Sequence, residues 1–333
     1  MFKTKHYAAW VAASAIAMVV TGGSARELPT LKPWQTITLD QPGSDATLPV
    51  TSCVALSPDG QSLVTTGDDH EVRVWRAAND GSFVLLERLG NHADWVRAAA
   101  FRPDGAVLAT AGDDRRVRLW DMPGSRTPVV LPGVIEGIRA LAFSPDGRRL
   151  AIAGFDDRVR LYSSESGRTE RELVAPGGDL RTVAFSPDGT QLAAAGRSGT
   201  VHVWRATDGK PIHELSAGSR RIRAMQYSDD GALLASGGDD GMVRLWSPRT
   251  GALEAVFASR PGRVIALCFC GPQRLAVGRS TDTIELWDLA AQEPDAQLAG
   301  HTGSVATLAY QTQSGTLVSG GFDCTIRLWN VQP

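Results

Sequence analysis

The chain has 333 residues, with 34 basic and 36 acidic side chains and a formal charge of −2. It lacks the basic excess that tracks a phosphate backbone, which argues against a nucleic-acid binder. It also has no long polar low-complexity stretch, and its length suits one large domain or two small ones.

The first 25 residues differ from the rest. Lys3 and Lys5 are two of only four lysines in the chain, and residues 8–20 follow without a charge before "TGGSA". A basic start, an apolar middle and small residues at the end are the order of a secretory signal peptide. We expect residues 1–25 to be cleaved after Ala25, leaving one domain over residues 26–333. The apolar run of 13 residues is short of the ~20 a membrane span needs. The expectation is therefore a periplasmic or secreted protein without stable membrane insertion after cleavage, and the leader and arginine-rich style point to a bacterial source. No cysteine follows the apolar run, which argues against a lipid anchor. Of the four cysteines, Cys268 and Cys270 stand two apart on one strand face, poor geometry for a bridge. Cys53 and Cys268 read as small core residues, and no CxxC or zinc-type spacing occurs.

From residue 33 onward the chain repeats. "PWQTITL" (residues 33–39) alternates like a strand but has no partner nearby. Short runs ending in an aromatic follow: "VRVW", "VRLW", "VRLY", "VHVW", "VRLW", "IELW" and "IRLW", closing on Trp75, Trp120, Tyr162, Trp204, Trp246, Trp287 and Trp329. Successive aromatics are 45, 42, 42, 42, 41 and 42 residues apart. Within each copy come a strand such as "IRALAF", a tight turn such as "SPDG", a second strand, a turn carrying an aspartate, the aromatic strand and a variable fourth strand. Proline presets φ and glycine takes positive φ in that turn. Four short strands in about 42 residues form one propeller blade. The seventh copy ends at "NVQP" without its fourth strand. The sequence thus predicts an all-β, seven-bladed propeller of four-stranded antiparallel blades, closed by residues 33–39 pairing into the last blade.

These motifs resemble the WD-repeat family over residues 33–331. The resemblance implies a histidine, a hydroxyl, an aspartate and the tryptophan linked within a blade. Blade two has His92, Thr110, Asp114 and Trp120; blade seven has His301, Ser319, Asp323 and Trp329. A buried indole N–H needs an acceptor and a buried carboxylate needs donors, so these residues read as structural rather than catalytic. The turn aspartate becomes Ser198 in blade four and Thr281 in blade six. We expect those two blades to rely mostly on packing and backbone ladders. A second arginine set, Arg73, Arg118, Arg160, Arg244 and Arg327, lies in the aromatic strands and reads as structural, with stems along the neighbouring blade.

The remaining signal is an arginine one residue into the innermost strand of four blades: Arg97, Arg139, Arg181 and Arg223. Alternation puts each on the face of residues two and four further on. The resemblance implies that this end of the strand opens on the family's partner-binding top face. Trp95, Phe155, Arg221, Arg263 and Phe322 share that rim. Two readings stand. The arginines pair with turn aspartates such as Asp68, Asp113 and Asp239 and close the ring, or they form an arc for an anionic loop or an acidic protein segment. The expected function is a non-enzymatic, monomeric protein–protein interaction scaffold with no catalytic residue, metal or cofactor. The rivals are a propeller hydrolase or lactonase with a site in the channel mouth, and a small anionic ligand held there.

Overall fold

A computed structural model describes residues 28–39, 48–90, 92–122, 127–132, 136–258 and 261–332. The expected leader and its cleavage site lie outside the described residues. Seven sheets run in chain order, each built from four consecutive antiparallel strands except the sixth and seventh, which also recruit the N-terminal segment. Blade one, for example, comprises Thr51–Leu56, Ser62–Gly67, Val72–Ala77 and Phe83–Leu89, innermost strand first.

Apolar residues alternate along each strand, so a blade offers an apolar surface on both faces. Packing blade on blade buries both. Seven apolar clusters result, each shared by two neighbouring blades, and one of them joins blade seven to blade one. The aromatic that ends each third strand enters the cluster shared with the preceding blade: Trp120 packs with Val64, Val72 and Val74 of blade one. Tyr162 takes the tryptophan's place in blade three and donates its hydroxyl to the Pro132 carbonyl at 3.2 Å.

Gln35–Thr38 pairs antiparallel with Thr325–Asn330 and becomes the fourth strand of blade seven, as the sequence predicts. Leu39 is fully buried beside Val318, Ile326 and Leu328. The Gln35 amide clasps blade one as well: its Nε2 donates to the Phe83 carbonyl at 3.2 Å and its Oε1 accepts from the Phe83 N–H at 3.0 Å. A shorter strand, Thr30–Leu31, lies parallel on the outer strand of blade six, Glu293–Leu298. The same segment therefore ties together blades six, seven and one. No helix among the described residues is long and apolar enough to cross a membrane.

One regular defect shapes the top of the ring. In every innermost strand the register slips by one residue at its start: between Val96 and Ala98, Ile138 and Ala140, Leu180 and Thr182, and at the equivalent place in the other four blades. The residue left without a ladder partner is Ser52, Arg97, Arg139, Arg181, Arg223, Ile265 or Ala306. Such a bulge sets two residues against one and breaks the alternation. The arginines thus do not share a face with residues two and four further on, contrary to the sequence expectation.

Candidate functional site

The seven bulged residues, together with Phe322, line one cavity of about 170 Å³ at the mouth of the channel. The bulge explains why a charged residue is tolerated there. It interrupts the ladder before the strand descends into the core, and aims the side chain at the opening. Around the mouth, in blades two to seven the residue before the innermost strand accepts a backbone bond from the residue before the turn position: Asp113 N–H to Trp95, Phe155 to Gly137, Arg197 to Asp179, Asp239 to Arg221, Ser280 to Arg263 and Phe322 to Ser304. These two rim positions are thereby fixed in height relative to each other.

Charges and rings then form a continuous chain across blades two to five. The Arg97 guanidinium lies 3.8 Å over the Trp95 ring and donates twice to Asp113 Oδ2, at 2.9 and 2.7 Å. Arg139 of the next blade reaches the other oxygen of Asp113 only at 3.5 Å and lies 4.2 Å over Phe155. Arg181 faces the same Phe155 at 5.3 Å and pairs with Asp179 at 2.8 Å. Asp179 also holds Arg221 of blade five at 2.9 Å. Its backbone has a φ of 50°, a left-handed conformation that aspartate adopts more readily than most residues. Arg223 pairs with Asp239. Guanidiniums stacked on aromatic faces and forked onto carboxylates are held by both cation–π and hydrogen-bond terms.

The structure therefore joins Trp95, Arg97, Arg139, Phe155, Arg181 and Arg221 in one chain, places Arg223 and Phe322 at the same mouth, and leaves Arg263 exposed to one side. Phe155 and Phe322 are largely exposed. Among the described residues no arginine pairs with Asp68; its carboxylate accepts the Val50 N–H at 2.9 Å. Burial, then the positive charge of Arg97, pushes the Arg139 guanidinium down to about 10, against the opposing pull of Asp113.

Below the rim, the linked sets form as expected. In blade two Trp120 Nε1 donates to Thr110 Oγ1 at 2.9 Å, His92 Nε2 meets the same oxygen at 2.9 Å, and His92 Nδ1 meets Asp114 at 3.0 Å. Blade seven repeats this with Trp329, Ser319, His301 and Asp323. Burial lowers the His92 pKa, outweighing the hydrogen bond to Asp114. Burial would raise Asp114, yet hydrogen bonds from His92 and Arg118 hold it well below the usual carboxylate range. The second arginine set does more than pack its stems. Arg73, Arg118, Arg160, Arg244 and Arg327 each pair with the turn aspartate four residues earlier.

Blades four and six lose that arginine and that aspartate together. In blade four His202 stacks on Trp204 with ring centroids 5.9 Å apart. Blade six adds to its packing and backbone ladders a buried ion pair that the sequence expectation does not include. Arg279 donates to Glu285 Oε2 at 2.9 and 3.2 Å, and the same oxygen accepts the Trp287 indole N–H at 3.2 Å. The signal was present in the repeat: "IELW" and "VGR" are two departures of opposite charge within one copy.

A closed ring of seven four-stranded blades around a narrow, charged channel mouth defines a seven-bladed β-propeller. The chain belongs to the "WD domain, G-beta repeat" family, whose pattern matches residues 37–76, 83–121, 130–163, 167–205, 209–247 and 292–330. The stretch without a match contains most of blade six, where the charge pair is exchanged. The chain is also similar to proteins described as "Mitochondrial division protein 1". It is 39% identical over 49 residues to that of Saccharomyces cerevisiae (strain YJM789), covering 15% of this chain and 7% of the relative. It is 32% identical over 83 residues to that of Mycosarcoma maydis, covering 25% and 10%. The chain thus matches a tenth or less of the length of these curated relatives.

Proposed function

We propose that the protein is an exported, non-enzymatic interaction platform, a single propeller that holds a protein partner on the face around the channel mouth. The observation that carries this reading is the continuous run Trp95–Arg97–Asp113–Arg139–Phe155–Arg181–Asp179–Arg221, which crosses four blades on a rigid ring. Arginine and aromatic side chains dominate interface energetics when they are pre-organised, because little rotamer entropy remains to be lost on binding. The mouth's acids are poorly placed for hydrolysis: Asp113, Asp179 and Asp239 are each engaged by guanidiniums instead of being open to a substrate. Export rests on the leader-like first 25 residues.

The test is site-specific photocrosslinking in the native host. A photoreactive residue at Phe322 or Phe155 should trap one defined protein, whereas one at Arg148 or Thr190, beside the opposite hairpins, should not. Adducts formed only from the hairpin side would overturn the proposal.

A further inference from the structure

We infer that the channel mouth is a seat for a single carboxylate, centred on Arg139 and presented by an acidic side chain or chain end of the partner. This deepens the reading of the rim as the binding face, but the seat is measurable on the isolated protein.

The first observation is a charge imbalance. Five guanidiniums, those of Arg97, Arg139, Arg181, Arg221 and Arg223, share three carboxylates, those of Asp113, Asp179 and Asp239. The other bulged residues of the mouth, Ser52, Ile265 and Ala306, add no acid. The second observation locates the excess. Arg97 donates both of its bonds to Asp113 Oδ2, so Arg139 is left with Oδ1 at 3.5 Å, long for a charge-assisted bond. Arg139 Nε is buried and has no hydrogen-bond acceptor among the described residues. Burial, then the neighbouring charge of Arg97, depresses the Arg139 pKa more than Asp113 restores it.

Size and shape select the anion. A cavity of about 170 Å³ is smaller than pockets for drug-sized ligands, which run from roughly 300 Å³. It admits one small group on a short stem. The incompletely paired fork of Arg139, flanked by the flat Phe155 ring, matches two coplanar oxygens and one negative charge. A phosphate would need additional forks, and those of Arg97, Arg181 and Arg223 are already committed to aspartates.

The test is calorimetric titration of the purified full-length protein at low salt. The probes are propionate, N-acetylglutamate α-amide, N-acetylglycylglycine with a free or amidated end, methylphosphonate and chloride. Saturable one-to-one binding is expected for the carboxylates, at least tenfold tighter than for chloride, the amidated peptide or methylphosphonate. The tighter of the glutamyl and chain-end probes identifies the source of the carboxylate. Arg139→Gln should weaken binding at least tenfold. Asp113→Asn should tighten it severalfold, because it removes the negative charge that competes most strongly for Arg139. If Arg139→Gln does not fold by thermal melt, Arg139→Lys replaces it and should still lose severalfold. Absence of saturable binding, binding unchanged by the Arg139 variants, or methylphosphonate outcompeting every carboxylate would each overturn the seat. A partner that still crosslinks at Phe322 while no carboxylate binds would sink the seat alone. Loss of the crosslink with carboxylate binding intact would sink only the partner reading.

Discussion

Arg279 and Glu285 form a buried ion pair inside blade six, at two positions where the repeat elsewhere carries glycine and a basic residue. In blades one to five, a Cβ at that glycine would come within about 2.3 Å of the carbonyl oxygen of the preceding rim residue, as at Gly112 against Trp95. Blade six admits a full arginine there, and reverses the charge of the third strand to receive it. One exchange without the other would bury an isolated charge.

Each single variant should therefore be costly. Arg279→Ala or Glu285→Ala should lose about 3–5 kcal/mol, the usual range when one partner of a buried pair is removed. The combination Arg279→Gly, Thr281→Asp and Glu285→Arg restores the pattern of the other blades. It should recover more than half of that loss in urea unfolding. A triple variant no more stable than either single would refute the compensation.

The closing strand should be a strong determinant of stability. Leu39 is fully buried where blades seven and one meet, so Leu39→Ala should cost about 2–5 kcal/mol. Gln35→Ala removes both bonds to Phe83 and leaves that backbone without its partners, with an expected loss of about 1–3 kcal/mol. Thermal melts of both variants and of a deletion of residues 33–39 measure this. An unchanged melting temperature on deletion would rule out the closure.

Acid should act through the linked sets. The folded pKa values of Asp114 and Asp323 lie below their ordinary values, so their contribution is fully present above about pH 4 and is lost as pH falls further. The lowered pKa of His92 adds an earlier loss, beginning as pH drops below about 6.5, because the unfolded state takes up the proton first. Stability measured from pH 7 to pH 3 should fall in these two windows. His92→Gln should reduce the upper one, to which the lowered pKa of His202 also contributes, and spare the part of the lower one that Asp323 carries.

Gly137 sets the position of Phe155. A Cβ at Gly137 would lie 2.9 Å from the Phe155 ring, so Gly137→Ala must push the ring off Arg139. We expect a change in melting temperature of only a few degrees, with carboxylate affinity and crosslinking at Phe155 both reduced severalfold. Unaltered affinity would show that the aromatic platform is dispensable.

The rim positions came from the resemblance to WD-repeat propellers, whereas the ring, its seven copies and the closing strand were legible in the chain itself. They are set by turn chemistry, by strand alternation and by a repeat of about 42 residues, all of which act over short distances. The arginine one residue into the innermost strand of four blades singled out Arg97, but not why it is tolerated there. Only the folded ring shows the bulge that takes it out of the ladder, because register depends on the facing strand. Tertiary structure also decided the partners. Arg139 meets Asp113, and Arg221 meets Asp179, across the boundary between blades, where no local pattern prescribes a pair. The unequal sharing that leaves Arg139 short of an acceptor is a property of that three-dimensional contact, since side chains from neighbouring blades compete for the same oxygens.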